Sequence, residues 1–319
     1  MNLENLKIWS VTDGSQGMRS QTNGLSREIS QKIIEIKTEL IFPWNKLQPG
    51  ILPIFSWIFK NKIDKKNIPD MIISCGRKSV YLSLYLKKKY KKIISVHIQN
   101  PKISYNNFNF VITPKHDGVF GKNVINSIGA LHQFDLKNLK NLKNNFNIKK
   151  NKLVTCIIGG ENQHYYFRES EIQNLCNNLI ELKKNMPEIN LLIITSRRTS
   201  DKIKKNLKLN LSNYSIIWTG EGDNPYSFAI KFSEYFVITS DSTSMISESS
   251  ITGKPIYIYH LPFKRISKRI ERFHFEFEKL NITRNFSKII KLEQWSYNPL
   301  QETKRIARIL KKRIIEEFK

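Results

Sequence analysis

The sequence has little of what a disulfide-stapled or membrane-spanning protein needs. Its three cysteines, Cys75, Cys156 and Cys176, are too few and too scattered for a disulfide framework or a zinc site. The longest apolar run, residues 51–59, is far shorter than the roughly 20 residues of a membrane span. The polar lead into the first expected strand does not resemble a signal peptide. We therefore expect a cytoplasmic protein, either soluble or lying on a membrane surface.

Acidic residues are also scarce, because 27 Asp and Glu face 53 Lys and Arg, which gives a formal charge of +26. Such an excess suits nucleic acid, anionic lipid or phosphorylated substrates as partners. A genome that over-supplies Lys, Asn and Ile would produce the same charge on solvated surfaces, so both interpretations stay open. Nucleic acid is not expected, since the sequence contains no recognisable binding module or aromatic stacking platform.

Short apolar runs alternate with longer stretches at helical spacing, and this alternation predicts parallel sheets covered by helices on both faces. One helical stretch carries Leu25, Ile29, Ile33 and Ile36 on one face. The expected strands lie at residues 6–12, 70–75, 92–98 and 110–114 in the first half, and at 152–160, 190–196, 214–220, 235–241 and 254–260 in the second.

The stretch 133–152 has spaced leucines but no buried strand, which is typical of a linker. We predict an α/β fold with two Rossmann-like, doubly wound domains at residues 1–135 and 153–319, joined by a linker at 136–152. Ile306, Ile309, Leu310 and Ile314 recur at helical spacing near the end. A C-terminal amphipathic helix is therefore expected to close the second domain, packed across one domain or both.

Ligands of open parallel sheets bind beyond the carboxyl ends of the strands, so the residues that follow each strand matter most. After the first strand, Gly14 and Gly17 permit a tight turn around Gln16 before a helix begins. Asp13 lies at the mouth of this turn, either as a helix cap or as a base that accepts a proton from a substrate hydroxyl. The glycine spacing does not match the dinucleotide-binding fingerprint.

Two histidines end strands of the first domain. His97, followed closely by Gln99, and His116 are placed to line a cleft on the acceptor side. A histidine near a strand end is also a common structural residue, so this alternative stays open.

Strand ends in the second half are rich in glycine and arginine. Gly159 and Gly160, followed by Glu161, suit a backbone cradle for a phosphate. Arg197 and Arg198 form a donor-rich strand end that can clamp an anionic leaving group, although a surface arginine pair is the alternative.

A hydroxyl-rich stretch begins the next helix. Ser242, Thr243 and Ser244 lie where a diphosphate would meet a helix terminus, and Glu248 is placed to bind the two hydroxyls of a ribose. The alternative is a serine-rich cap with Glu248 as a surface residue. Asn224, which precedes a further helix start, and Glu161 are also expected to contact the donor. No catalytic triad or metal cluster is recognisable, so we expect no metal and no cofactor.

Several motifs together resemble a known family, namely TDGSQGMRSQTNGL, VHIQNP, TPKHDG, SIGALH, IGGENQHY, TSRRT, GEGDNPY, SDSTSMISE and LEQWSYNPLQET. The sequence is similar to the bacterial branch of the elongated-mitochondria (mitochondrial fission) family of proposed glycosyltransferases, nearly end to end and in consistent order. The resemblance implies the GT-B fold, in which two domains face a cleft.

The resemblance also implies roles for particular residues. The second half is similar to the donor half of the lipid-linked N-acetylglucosaminyltransferase of peptidoglycan synthesis, which makes Gly159, Gly160 and residues 242–244 diphosphate contacts and Glu248 a ribose contact. Asp13 looks like the general base that heptosyltransferases of the same fold carry in their first loop. The sequence lacks the GGTGGH loop of the peptidoglycan enzyme, so the acceptor side departs from that pattern.

The expected function is metal-independent transfer of a sugar, with inversion, from a nucleotide-diphosphate sugar to a hydroxyl. The acceptor would be lipid-linked or of lipopolysaccharide type, met at the inner face of the cytoplasmic membrane. Residues 42–66 and 261–275 combine aromatic and basic residues as an interfacial segment would, and core-facing helices edged by lysines are the alternative. A catalytically silent scaffold that recruits a protein at a membrane is the rival function, since plant members of the family are associated with a fission dynamin.

Overall fold

The structure is a computed structural model that describes residues 3–64, 67–139, 142, 152–287 and 291–318. It divides the chain into two compact units. The first comprises Met1–Phe134 with Gln301–Lys319, and the second comprises Asp135–Leu300. Most of the stretch for which a linker was expected, at 136–152, lies outside the described residues.

The first unit is a parallel sheet in the order β2-β1-β3-β4-β5-β6. Its inner strands are almost wholly buried, as expected of a parallel sheet with both faces covered. Its strands are β1 (Ile8–Thr12), β2 (Ile33–Lys37), β3 (Met71–Cys75), β4 (Ile94–Ile98), β5 (Phe110–Pro114) and β6 (Val124–Ser127), and its first helices are α1 (Gln16–Ile29) and α2 (Arg77–Lys89).

Strand β2 corrects the prediction of one long helical stretch through Ile33 and Ile36. Helix α1 ends at Ile29, because Ser30 adopts extended backbone and its hydroxyl donates to the Leu6 carbonyl at 2.6 Å. The chain then pairs with β1, with Ile33 opposite Ile8. The isoleucines that continued the helical spacing thus belong to an edge strand.

The second unit is a parallel sheet in the order β12-β11-β10-β7-β8-β9. Helix α3 shows how the sheet is covered, because its buried side chains recur every three or four residues and pack on the sheet. The strands are β7 (Leu153–Ile158), β8 (Asn190–Thr195), β9 (Ser215–Trp218), β10 (Tyr235–Thr239), β11 (Ile256–Tyr259) and β12 (Thr283–Asn285), and the helices are α3 (Glu169–Asn185), α4 (Asp201–Leu211), α5 (Tyr226–Phe232), α6 (Thr243–Ser249) and α7 (Lys268–Lys279).

The closing helix α8 (Glu302–Glu317) belongs to the first unit, which corrects the prediction that it closes the second domain. Its buried stripe, which includes Ile306, Leu310 and Ile314, joins the core that contains Leu25 and Ile29 of α1. The Ile128 N–H also donates to the Glu302 carboxylate at 2.7 Å. The helical spacing predicted the buried face of α8 but not its partner.

Strand order reverses once in each sheet, and these switch points are where ligands bind in open α/β sheets. In the first unit the reversal lies between β1 and β3, and in the second it lies between β7 and β10. Within the described ranges, no helix is long and apolar enough to cross a membrane.

Two neighbouring isoleucines of α8 test which unit the helix stabilises. Ile314 is fully buried in the core of the first unit, whereas Ile315 is 38% exposed. Ile314→Ala is expected to lower the free energy of unfolding by about 2–5 kcal/mol, and Ile315→Ala by less than about 1 kcal/mol. Hydrogen exchange read by mass spectrometry should show the lost protection in β6 and α1. Lost protection confined to β7–β12 would contradict the assignment of α8 to the first unit.

Candidate functional site

A buried carboxylate organises the switch point of the second unit. Asp241 follows β10, and its side chain has no exposed surface. The carboxylate accepts hydrogen bonds from the Gly160 N–H at 3.0 Å and the Thr239 hydroxyl at 2.7 Å. The Arg198 guanidinium, which follows β8, pairs with it at 2.5 Å. Asp241 therefore ties together the segments that follow three strands of one sheet.

The protonation of Asp241 is set by opposing effects. Burial raises the pKa of the Asp241 carboxyl, while the charge of Arg198 and the hydrogen bonds from Thr239 and Gly160 oppose that rise. A carboxylate in such a position is stabilised only by its partners, so its ionised form depends on Arg198 remaining in place.

The glycine pair after β7 has a different role from the predicted phosphate cradle. The Gly159 N–H donates to the Thr239 hydroxyl at 2.8 Å and the Gly160 N–H donates to Asp241, so both amides are already engaged within the protein. A Cβ on Gly159 would lie 2.1 Å from the Asp241 carboxylate, and one on Gly160 would lie 2.2 Å from the Arg198 carbonyl. Glycine is required here because the buried carboxylate and the next loop pack directly against the backbone.

The two arginines after β8 are not equivalent. Arg197 is exposed. The Arg198 side chain is 42% exposed, and its contact with Asp241 engages Nη2. A guanidinium carries five N–H donors in a planar fork, so Arg198 can hold Asp241 and still present donors toward an anion. Of the two arginines, Arg198 is thus the one that contacts Asp241 at the switch point.

The hydroxyl-rich stretch begins α6 as predicted. The Ser242 hydroxyl is buried and accepts the Met245 N–H at 3.4 Å, which makes Ser242 the N-cap. Thr243 and Ser244 are half-buried at the start of the helix. Ser242 thus has a capping role in the protein itself, while the next two hydroxyl side chains border solvent.

Glu248 is a buried residue and not the surface carboxylate of the alternative interpretation. Only 9% of it is exposed, and its carboxylate accepts the Tyr226 hydroxyl at 2.6 Å. Desolvation, and then the neighbouring Glu248 charge, raise the pKa of Tyr226 well above its ordinary value, so the phenol stays protonated and donates. This bond links the first residue of α5 to the last turn of α6.

The other predicted donor contacts lie at the surface. The exposed Asn224 accepts the Tyr226 N–H at 2.9 Å and so helps to begin α5. Glu161 pairs with Lys264 at 3.1 Å, where both side chains are nearly half exposed. The structure therefore brings Gly159, Gly160 and Arg198 together around Asp241, while Asn224 and Glu161 have local partners.

In the first unit, Asp13 lies beyond β1 at the switch point. Its carboxylate accepts the Ser15 N–H at 2.9 Å, a local turn that leads into α1. Asp13 is half-buried, and it is close enough to Cys75 at the end of β3 that its charge adds to the effect of burial in raising the pKa of that thiol. Gly14 has a φ of +90°, which only glycine adopts readily. Gln16 and Gly17 are exposed.

The structure buries both histidines that were predicted to line a cleft. His97 is 1% exposed, its Nδ1 lies 2.8 Å from the Ser74 hydroxyl, and burial lowers its pKa to about 3. His116 is 4% exposed, with its Nε2 3.6 Å from the Asp117 carboxylate. Gln99, with a φ of +80°, is half-buried. His97 is therefore a neutral structural residue, because its strand lies inside a sheet covered on both faces.

Sequence reasoning did not single out Asp241 or the contact of Tyr226 with Glu248. The only available signal for Asp241 was an acidic residue directly after a buried strand at a switch point. In the described part of the chain, no group of three or more His, Cys, Asp or Glu side chains is arranged to hold a metal ion.

Two glycines give a matched test of the packing around Asp241. Gly159→Ala is expected to lower the free energy of unfolding by about 1–3 kcal/mol, because its Cβ would overlap the carboxylate. Gly17→Ala is the control, since no atom lies within 4 Å of its added Cβ, and alanine in the first turn of α1 should be neutral or stabilise by up to about 1 kcal/mol. Equal stabilities of the two variants in urea unfolding would contradict the close packing.

Solved structures share this fold at low sequence identity. UDP-GlcNAc 2-epimerase from Neisseria meningitidis, bound to UDP-GlcNAc, matches with a TM-score of 0.56 and 15% identity over 98% of this chain and 100% of that one. The S. aureus MnaA structure with UDP matches with a TM-score of 0.51 and 14% identity over 96% and 88% of the two chains. The predicted fold class, a two-domain α/β fold of the GT-B kind, is confirmed.

Relatives in sequence define the family. The chain is 30% identical over 350 aligned positions to the uncharacterized protein RP120 of Rickettsia prowazekii, covering 96% of this chain and 98% of that one. It is 27% identical to the mitochondrial fission protein ELM1 of Arabidopsis thaliana over 273 positions, which span 75% of this chain but 62% of the plant protein. The family model described as mitochondrial fission ELM1 matches residues 16–314. The predicted resemblance is therefore confirmed, and the chain belongs to the mitochondrial fission ELM1 family.

Proposed function

We propose that the second unit binds a nucleotide-diphosphate sugar and that the protein transfers the sugar to a hydroxyl of a lipid-linked or lipopolysaccharide-type acceptor, at the inner face of the cytoplasmic membrane. The observation that carries the proposal is the convergence of Asp241, Arg198 and the amino end of α6 at the switch point between β7 and β10. Structures of the same fold were solved with UDP and UDP-GlcNAc, which supports a nucleotide sugar as the ligand class.

In this proposal the diphosphate lies beside Arg198 and the hydroxyl side chains of Thr243 and Ser244. Arg198 is held by Asp241 but remains 42% exposed, so its free face neutralises charge on the leaving phosphate. The glycine turn acts indirectly, because Gly159 and Gly160 fix the position of the loop and of the carboxylate. Preorganised donors of this kind need no rearrangement when charge develops.

The ribose would be bound by Glu248. The Tyr226 hydroxyl donates to Oε2 of Glu248. A carboxylate has two oxygens and about four lone-pair sites, so it can accept from more than one hydroxyl. The Tyr226 bond orients the carboxylate, which is the usual way in which a binding side chain is supported by a neighbour. Glu248 is therefore proposed as a binding residue and Tyr226 as a positioning residue.

Asp13 is the proposed base for the acceptor. Its carboxylate would take the proton of the acceptor hydroxyl as the new bond from oxygen to the anomeric carbon forms. The bond from the anomeric carbon to the phosphate oxygen breaks, and the nucleoside diphosphate leaves with the electron pair and with inversion at the anomeric carbon. Asp13 is favoured over His116 because it is half-buried, whereas His116 is 4% exposed.

A scaffold without catalysis is the second candidate. It is supported by the hydrogen bonds at Gly159 and Gly160, whose amides donate to Thr239 and Asp241 within the protein. The Asp241 carboxylate also accepts from Thr239. The family description and the plant relative also name mitochondrial fission and no reaction. A scaffold would bind no nucleotide, so nucleotide binding separates the two candidates.

Isothermal titration calorimetry with UDP, GDP, CMP and ADP tests the donor site. One nucleotide is expected to bind, and Glu248→Ala should weaken that binding about 10- to 100-fold, because a charged acceptor of two ribose hydroxyls is lost. Tyr226→Phe keeps the carboxylate and should weaken binding less. Glu181→Ala, an exposed glutamate on α3, is the control and should bind as the wild type does. If none of the four nucleotides binds, the scaffold is supported instead.

Asp13→Asn tests the base. The Asn side-chain oxygen can still accept the Ser15 N–H, so the turn should stay folded while proton transfer is lost. With the sugar conjugate of the nucleotide that binds, release of nucleoside diphosphate should fall by about 10²- to 10⁴-fold, without a change in donor affinity. Full turnover in both Asp13→Asn and His116→Ala would show that the assignment of the base is wrong.

A further inference from the structure

The segment after β2 carries an apolar surface that no other part of the described chain covers. Four large side chains point outward here, namely Phe42, Ile51, Phe55 and Trp57, with exposed fractions of 76%, 60%, 48% and 58%. Soluble proteins commonly expose single apolar residues, but here four fall within 16 positions of the chain, and the Phe55 and Trp57 rings stack at a centroid distance of 5.7 Å. We call these four residues the aromatic face.

Buried residues of the first unit support the aromatic face. Leu40 pairs with Phe59 in an antiparallel bridge, and both side chains are buried in the core of the first unit. Trp44, which is 8% exposed, contacts the Trp57 ring edge-on at a centroid distance of 5.0 Å. The exposed residues therefore rest on a packed base and are not the tip of a loose loop.

Helix α2 fixes the backbone beside the aromatic face. The Arg77 guanidinium donates to the Asn45 carbonyl at 2.6 Å and also to the Leu47 carbonyl. The Tyr81 hydroxyl donates to the same Leu47 carbonyl at 3.1 Å. These bonds fix the backbone at Asn45 and Leu47, between Phe42 and Ile51.

Charge around the aromatic face is mainly positive, although Glu39 and the exposed Asp64 flank the segment. Lys46, Lys60 and Lys62 are exposed, and residues 40–63 contain no Asp or Glu. The exposed Phe275 of the second unit differs, since it lies on α7, where three glutamates are mixed with four basic residues. The exposed Phe263 and Ile266 of the second unit also lie among basic residues, so the aromatic face is distinguished by its four large exposed side chains within 16 positions.

We propose that the aromatic face docks on an anionic lipid surface, with its aromatic rings at the boundary of headgroups and acyl chains. Trp and Phe have an amphipathic or apolar body suited to that boundary, and the lysine stems extend their ammonium groups toward lipid phosphates. Charge complementarity selects lipid over a second copy of this chain, whose own face would carry the same positive charge. This inference does not depend on nucleotide binding or on turnover.

Flotation with phosphatidylcholine vesicles that contain phosphatidylglycerol tests the proposal. The wild type is expected to float with these vesicles and not with phosphatidylcholine alone. The double variant Phe42→Ser, Trp57→Ser and the triple variant Lys46→Gln, Lys60→Gln, Lys62→Gln should each lower the vesicle partition coefficient about tenfold or more. Phe275→Ser, a matched exposed aromatic of the second unit, should bind as the wild type does.

Brominated lipid gives a second readout that does not depend on a folding defect. Trp57 is exposed, whereas Trp9 and Trp44 are buried, so vesicles with bromine on the acyl chains should quench wild-type tryptophan emission. Trp57→Phe should keep most of the binding and lose the quenching. The proposal is overturned if the wild type does not float, or if Phe275→Ser loses binding instead. It is also overturned if light scattering shows that the wild type is a dimer without lipid and that the double serine variant is a monomer.

Discussion

The buried carboxylate of Asp241 is the constraint on which the second unit's switch point depends. A carboxylate without exposed surface is costly unless it is paired and hydrogen-bonded, and here it accepts from Gly160, Thr239 and Arg198. These partners come from the loops after β7 and β8 and from the end of β10. Because one buried charge needs all of them, the positions of the three segments are coupled.

This coupling explains features that otherwise look unrelated. Gly159 and Gly160 must be glycine because the carboxylate and the Arg198 carbonyl lie where their Cβ atoms would be. Arg198 is fixed at one end and exposed along 42% of its side chain, whereas Arg197 has no such anchor. A cation held in position before a ligand arrives is the kind of group that stabilises an anionic leaving group most effectively. The second unit thus combines a rigid interior with polar groups at the edge of its sheet.

The sequence predicted those features that depend on local pattern. Both sheets were predicted because buried parallel strands are continuous apolar runs, such as Leu153–Ile158. Strand β2 was missed because Ile33 and Ile36 continue the spacing of α1, and only the extended backbone at Ser30 separates them. The buried stripe of α8 was visible in the sequence, but a helical spacing does not say which core receives it.

In the candidate site too, the sequence predicted features that depend on local pattern and missed those that depend on tertiary contacts. Glu248 and the hydroxyls of α6 stood out by their position after a strand, and the structure adds the Tyr226 bond that buries the carboxylate. The role of the glycine pair was misread, since a strand-end Gly-Gly looks the same whether its amides face a phosphate or a protein carboxylate. Asp241 contacts residues 43 and 81 positions away, which is a tertiary relation that no local pattern encodes.

The central claim is that a nucleotide binds at the switch point that Asp241 organises. It is tested by hydrogen–deuterium exchange of the full chain, with and without a saturating concentration of UDP, GDP, CMP or ADP. Bound nucleotide is expected to slow exchange only at residues 159–163, 196–200 and 240–248 of the second unit. Protection elsewhere in the chain, or unchanged exchange with every nucleotide of the panel, would contradict it.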